Sequence, residues 1–133
     1  MNKYLLDTHI FLWSLLEPAF LKTDLATELE DPANELWLSP ITTWEVIVLC
    51  EKGRILLDDH PAVWMRNALD TLPFREATLN HEVAIQSRRL SLPHQDPADR
   101  FIAASAIVYE LTLMTADRTL IDGAGKYLVF ANC

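Results

Sequence analysis

HQDPADRFIAASAIVYELTLMTAD, residues His94 to Asp117, is the stretch on which the fold turns. It opens polar around one proline, becomes apolar at helical spacing, and closes on a short apolar run, Leu111–Thr115, that stops at another Asp. The pattern predicts a helix followed at once by a strand, Leu111–Met114. Asp96 and Asp99 fall three apart in the first helical turn, so they share a face and repel; the positive end of the helix dipole relieves this in part. Arg100 stands four residues beyond Asp96 and is read as its ion-pair partner. The residues three and four positions from Asp99 are Gln95, Asp96, Ile102 and Ala103, none of them basic. An acid so placed, beside an apolar stripe of Phe101, Ile102, Ser105, Ala106 and Tyr109, points to a cation site.

The same alternation extends to both ends of the chain. Lys3–Leu6 is a short apolar run that stops on Asp7-Thr8, and His9–Leu16 is apolar again and closed by Pro18. Asp7 or Thr8 can cap that helix, and Asp7 can equally be a ligand at a strand end; the two roles coexist in α/β sheets. Thr23-Asp24 can cap a second helix to about Glu30. Glu35–Ser39 reads as the next strand, and Ser39-Pro40 starts a helix over Ile41–Lys52 closed by Gly53. Glu45 lies on that helix among Ile41, Thr42, Val48 and Leu49, with no Lys or Arg within a turn. A buried carboxylate in such company is costly unless it neutralises or serves a cation. Leu56–His60 is a loop and Pro61–Leu69 a helix with Trp64 and Leu69 on its apolar side. Leu72–Ala77 is a short strand that Pro73 confines to an edge. Asn80–Leu90 is an amphipathic helix whose Arg88-Arg89 pair is a solvated face. Gly123 and Gly125 end a short helical turn, and Tyr127–Phe130 is the last strand.

Short apolar strands alternating with helices predict a single α/β domain over residues 1–133. Its central parallel sheet has four to five strands and helices on both faces. Acids at strand C-terminal ends converge on one edge of such a sheet. Asp7 and Asp117 belong there directly, Asp99 and Glu45 reach in from helices, and Thr115-Ala116-Asp117 repeats the strand-then-Asp pattern of Asp7.

Composition narrows the class. The chain has 133 residues, 50% hydrophobic and 23% charged, which is globular composition. It carries no apolar run of membrane-spanning length. The N-terminus MNKYLLDTH reaches an acid too early to serve as a signal peptide. Cys50 and Cys133 are read as reduced thiols of a cytoplasmic protein, and no CxxC or His-pair spacing suggests structural zinc. The formal net charge is −8, whereas a nonspecific nucleic-acid binder is more often basic. Either nucleic acid is not the ligand, or clustered acids are neutralised by bound cations. Hard divalent cations take carboxylate oxygens and water and complete their shell with phosphate; a pair of them can hold both oxygens of a phosphodiester displacement.

At these residues the sequence resembles the PIN-domain nucleases, specifically the VapC-like toxins of bacterial toxin–antitoxin pairs. The matching pieces are LLDTHIFLW (5–13), LSPITTWEV (38–46), DPADRFIAASA (96–106) and TAD (115–117), in register over nearly the whole chain. The resemblance implies an acidic quartet of Asp7, Glu45, Asp99 and Asp117, with Asp96 as an outer or alternate ligand. It further implies a Mg²⁺- or Mn²⁺-dependent endoribonuclease that dimerises, cleaves RNA with an in-line water, and is inhibited by a co-encoded antitoxin. Thr8, His9, Arg100 and Thr115 are candidates to touch substrate, though capping and pairing roles compete at each; His94 stands beside the motif as well. Two other readings stay open. A phosphatase with an aspartyl nucleophile would carry a second Asp two residues after Asp7, where His9 stands. An inactive binding module of the same fold would be expected to have lost one of the acids. The four Trp (13, 37, 44 and 64) are expected in the core for the most part, with some at a partner interface.

Overall fold

Lys3–Leu6 (β1) is a run with three consecutive buried side chains, Tyr4, Leu5 and Leu6, and it therefore lies in the middle of the sheet. The computed structural model describes residues 1–93 and 95–132, so the readings of His94 and Cys133 fall outside the described residues. The further strands are Glu35–Leu38 (β2), Arg75–Glu76 (β3), Thr112–Thr115 (β4) and Leu128–Ala131 (β5). All pair in parallel, in the order β3-β2-β1-β4-β5. The helices are Thr8–Leu16 (α1), Thr23–Glu30 (α2), Pro40–Glu51 (α3), Pro61–Thr71 (α4), His81–Arg89 (α5), Pro97–Val108 (α6) and Arg118–Asp122 (α7), with a 3₁₀ turn at Pro18–Phe20.

Successive β1 side chains point to opposite faces. Tyr4 and Leu6 pack with Phe11 of α1, Leu25 of α2, Val46 of α3 and Met65 of α4. Leu5 packs on the other side with Ile102, Ala103 and Ala106 of α6 and Leu120 of α7. Both faces are covered, as a parallel sheet requires.

Several expected boundaries shift for local reasons. Strand β2 stops at Leu38 because Ser39 is the cap of α3, its hydroxyl accepting from the Ile41 amide at 3.1 Å. Strand β4 runs one residue later than expected, to Thr115, and β5 starts at Leu128 because Thr112 pairs with it. Tyr127 instead turns into the core and donates its hydroxyl to the Leu120 carbonyl at 2.8 Å. Helix α2 lacks the side-chain cap expected from Thr23-Asp24: Lys22 is its N-cap, and the Lys22 amide donates to Asn132 Oδ1 at 2.7 Å, so the far end of the chain does the tying down. Leu69 is exposed; Met65 and Ala68 make the buried side of α4. Strand β3 is two residues long and lies at the edge, after Pro73. Trp44 is exposed, while Trp13, Trp37 and Trp64 are half-buried. Cys50 is a half-buried free thiol. No helix among the described residues is long and apolar enough to cross a membrane.

The strand order sets the location of the site. From β1 the chain builds outward through β2 to β3, then returns to the other side of β1 with β4 and β5. The connections diverge between β1 and β4, and the crevice at their C-terminal ends is where ligands bind in open α/β sheets.

Candidate active site

Asp7 follows β1 directly. Leu6 stands opposite Met114, and the Asp7 amide donates to the Met114 carbonyl at 2.9 Å, so Asp7 lies next to the end of β4. Its side chain is 4% exposed. Oδ1 accepts from the Thr8 amide at 2.7 Å, which makes Asp7 the N-cap of α1, and Oδ2 accepts from the Thr115 hydroxyl at 2.7 Å. One residue thus both caps α1 and stands at the end of β1 beside β4. Thr115 Oγ1 in turn accepts from the Asp117 amide at 2.9 Å, and Asp117 Oδ1 caps α7 by accepting from the Thr119 amide at 2.9 Å. Asp96 caps α6 through the Ala98 amide at 3.0 Å, and Asp99 lies in the first turn of that helix. Three helix N-termini therefore direct their positive ends at this edge of the sheet, which offsets part of the repulsion among the acids.

Glu45 reaches in from the middle of α3. Thr8 Oγ1 donates to its Oε1 at 2.5 Å, and Thr8 Oγ1 also lies 3.1 Å from Thr42 Oγ1. Burial pushes the Glu45 carboxyl up to about 7, against the bond from Thr8 and with smaller help from the charges of Asp7, Asp99 and Asp96. Burial also raises the Asp7 carboxyl, opposed by its bonds to Thr115 and Thr8. The Tyr127 hydroxyl is pushed up to about 12 by burial and by Asp117, Asp99 and Asp7, which keeps it neutral. These mutual influences show that Asp7, Glu45, Asp96, Asp99 and Asp117 share one electrostatic neighbourhood.

The donor chemistry fits a hard divalent cation. It is all oxygen and half-buried, and its carboxylates carry more negative charge than their surroundings comfortably hold. Among the described residues, Glu45 Oε2 and Asp117 Oδ2 receive no protein hydrogen bond and stand available. As the side chains stand, no three His, Cys, Asp or Glu among the described residues are close enough to enclose an ion. A cation here would draw the acids in or keep several waters, as Mg²⁺ usually does.

The other candidate residues divide. The hydroxyls of Thr8 and Thr115, read as groups that could meet substrate, are 1% and 0% exposed and donate to the carboxylates of Glu45 and Asp7. His9 is exposed, with its ring 5.9 Å from that of Trp13. Arg100 is 4% exposed; its guanidinium donates to the Ser87 carbonyl at 2.9 Å and the Leu90 carbonyl at 2.6 Å. The expected Asp96–Arg100 ion pair does not form among the described residues. Asp96, as the cap, sits outside the helix with its carboxylate turned to the Ala98 amide, and Arg100 ties the end of α5 to α6 from within. Thr42 and Tyr127 are additions to the expected set. Thr42 stands three residues before Glu45, a same-face spacing; nothing local marks Tyr127.

Comparison with known proteins bears on this geometry. The PIN domain family matches residues 4–126. Ribonuclease VapC22 of Mycobacterium tuberculosis is 31% identical over 123 residues, covering 90% of this chain and 91% of that protein. Among solved structures, DNA-bound VapBC from Salmonella typhimurium aligns over 100% of both chains with a TM-score of 0.73 at 18% identity. FitAcB from Neisseria gonorrhoeae aligns over 97% of both chains with a TM-score of 0.67 at 25% identity.

Proposed function

The chain belongs to the PIN domain family, and from that premise we propose that it is a metal-dependent endoribonuclease, the toxin of a toxin–antitoxin pair, acting in the cytoplasm on RNA phosphodiester bonds. The observation that carries this reading is the gathering of Asp7, Glu45, Asp99 and Asp117 at the crevice between β1 and β4. A relative named as a ribonuclease and structural neighbours named VapBC support it.

In this reading the four acids hold Mg²⁺ or Mn²⁺, with Asp96 at the margin because its carboxylate caps α6. A bound divalent ion supplies Lewis-acid stabilisation of the phosphoryl oxygens and a water of lowered pKa. The chain's own groups do the positioning. Asp7 is fixed between the Thr8 amide and the Thr115 hydroxyl. Glu45 is anchored at Oε1 by Thr8, which leaves Oε2 to face a cation or to take a proton from the attacking water. Burial raises this carboxyl to about 7, and holding a cation would favour its charged form. No histidine is required as base: His9 lies against Trp13 on the exposed side of α1. Cations held by these acids would attract phosphate without a basic surface, which reconciles a net charge of −8 with an RNA substrate.

The deciding experiment is incubation of the purified protein with labelled RNA. Cleavage is expected with Mg²⁺ or Mn²⁺, lost in EDTA, and restored when metal is returned. Cleavage undiminished by EDTA would overturn the metal mechanism. No cleavage of any RNA by folded protein with metal would favour an inactive binding module instead.

The same reading places an antitoxin on the surface. A cleft of about 580 Å³ beside α1 is lined by Leu12, Trp13, Leu16, Leu49 and Ile55 together with His9, Glu17 and Arg54, and Leu56 in its lining is 90% exposed. In this reading the antitoxin lays an amphipathic segment in the cleft and extends a basic residue to the acidic site in place of metal. Purification from the native host, followed by light scattering, is expected to yield a homodimer of this chain bound to a small second protein. Recovery of the free chain alone, with no small protein encoded beside it, would count against the partner.

A further inference from the structure

We infer that Thr42 is a positioning residue for cleavage: its hydroxyl orients Thr8, and through Thr8 the carboxylate of Glu45. This rests on the nuclease reading above and adds to it a residue outside the acidic set.

The inference follows from counting protons. With Glu45 in the charged form that would hold a cation, the one hydroxyl proton of Thr8 is donated to Glu45 Oε1 at 2.5 Å, within the short range of a charge-assisted bond. The contact between Thr8 Oγ1 and Thr42 Oγ1 at 3.1 Å leaves either atom as donor when taken alone. With the Thr8 proton committed, Thr42 must be the donor. The order is therefore Thr42 to Thr8 to Glu45, and each hydroxyl has one rotor setting that serves it. Thr42 is 0% exposed and Thr8 is 1% exposed, so water does not replace either partner. The pair also bridges two elements, since Thr8 opens α1 and Thr42 lies in α3 one turn before Glu45. Without Thr42, the Thr8 hydroxyl loses the bond that fixes its rotor, and Glu45 Oε2 is no longer presented in one place.

The test uses Thr42→Val, which keeps the branched shape and removes the hydroxyl, and Thr42→Ser, which keeps the hydroxyl. Thr42→Val is expected to lower kcat on RNA by about fivefold to tenfold, the range for one lost hydroxyl bond. KM should change less than twofold, and Thr42→Ser should restore most of the rate. In a Thr8→Val background, adding Thr42→Val should cost nothing further, because the relay is already cut. A purely packing role predicts instead that the two losses add. Affinity for Mn²⁺ alone, measured by calorimetry, should weaken severalfold in Thr42→Val and recover in Thr42→Ser. If valine at this position does not fold, Thr42→Ala compared with Thr42→Ser reads the same difference. A wild type that does not cleave RNA sinks the nuclease reading, and the Mn²⁺ series then still judges Thr42. An active wild type with Thr42→Val equal to it in kcat and in Mn²⁺ affinity overturns the inference.

Discussion

Asp7→Asn is expected to lower RNA cleavage by about 10²- to 10³-fold while the chain stays folded, the magnitude typical of removing one preorganised electrostatic group from an active site. Asp7 is almost wholly buried at the junction of β1 and α1. Asparagine retains an oxygen for the Thr8 amide, so the cap of α1 survives. Its amide NH₂ faces Thr115 Oγ1, which already accepts from the Asp117 amide and must now give up its role as donor. One bond is rewired and one negative charge is lost from a place where burial already disfavours charge. Folding should therefore be kept, and metal-free stability should rise. The check is initial cleavage rate at saturating Mg²⁺ beside a thermal melt. A folded Asp7→Asn protein with near wild-type activity would remove Asp7 from the metal-binding set and leave it a helix cap.

Glu45→Gln is expected to reverse its effect on stability according to whether metal is present. The Glu45 carboxyl titrates at about 7 in the folded chain against an ordinary value of 4.5. Between those values the folded state holds a proton that the unfolded state has lost. Stability thus falls as pH rises from about 4.5 to about 7; the contribution is complete below that window and gone above it. Asp7, also raised, acts in the same direction. Glutamine keeps an acceptor for Thr8 and removes the charge. At pH 8 in EDTA it should melt above the wild type, by about 4 °C for each kcal/mol relieved in a chain of this size. Near pH 4.5 the two melting points should converge. With free Mg²⁺ at 100 times its dissociation constant, the wild type should gain about 2.7 kcal/mol by mass action and the variant much less. Paired melts at pH 4.5 and pH 8, with EDTA or Mg²⁺, read all four states. A Glu45→Gln protein that melts lower than wild type at pH 8 in EDTA would mean that Glu45 serves chiefly as the acceptor of Thr8.

The one-residue shifts of β2, β4 and β5 show where reading by pattern stops. Hydrophobic period marks an element, but its last residue is decided by a neighbour: Ser39 leaves β2 to cap α3, and Leu128 opens β5 because Thr112 stands opposite it. The missing cap of α2 has the same origin, since the group that closes it, Asn132, is 110 residues away in sequence.

What the sequence by itself determined is the alternation of buried strands with helices, and the acids that follow the ends of β1 and β4, Asp7 and Asp117. Period, capping preference and burial cost are local properties, and Asp7, Glu45, Asp99 and Asp117 could be named from them. What only the tertiary structure decided is the partner of each polar group. Arg100 was four residues from Asp96 on a helix, yet it donates to the Ser87 and Leu90 carbonyls, because a buried guanidinium goes to the carbonyls at the C-terminal end of α5 that otherwise lack donors. Thr8 and Thr115 looked like hydroxyls open to substrate, yet packing of α1 against α3 and of β1 against β4 aims them at Glu45 and Asp7. Hydrogen bonds of this kind join residues 34 to 108 positions apart. Their geometry is set by how the layers pack, a quantity that no window of sequence contains.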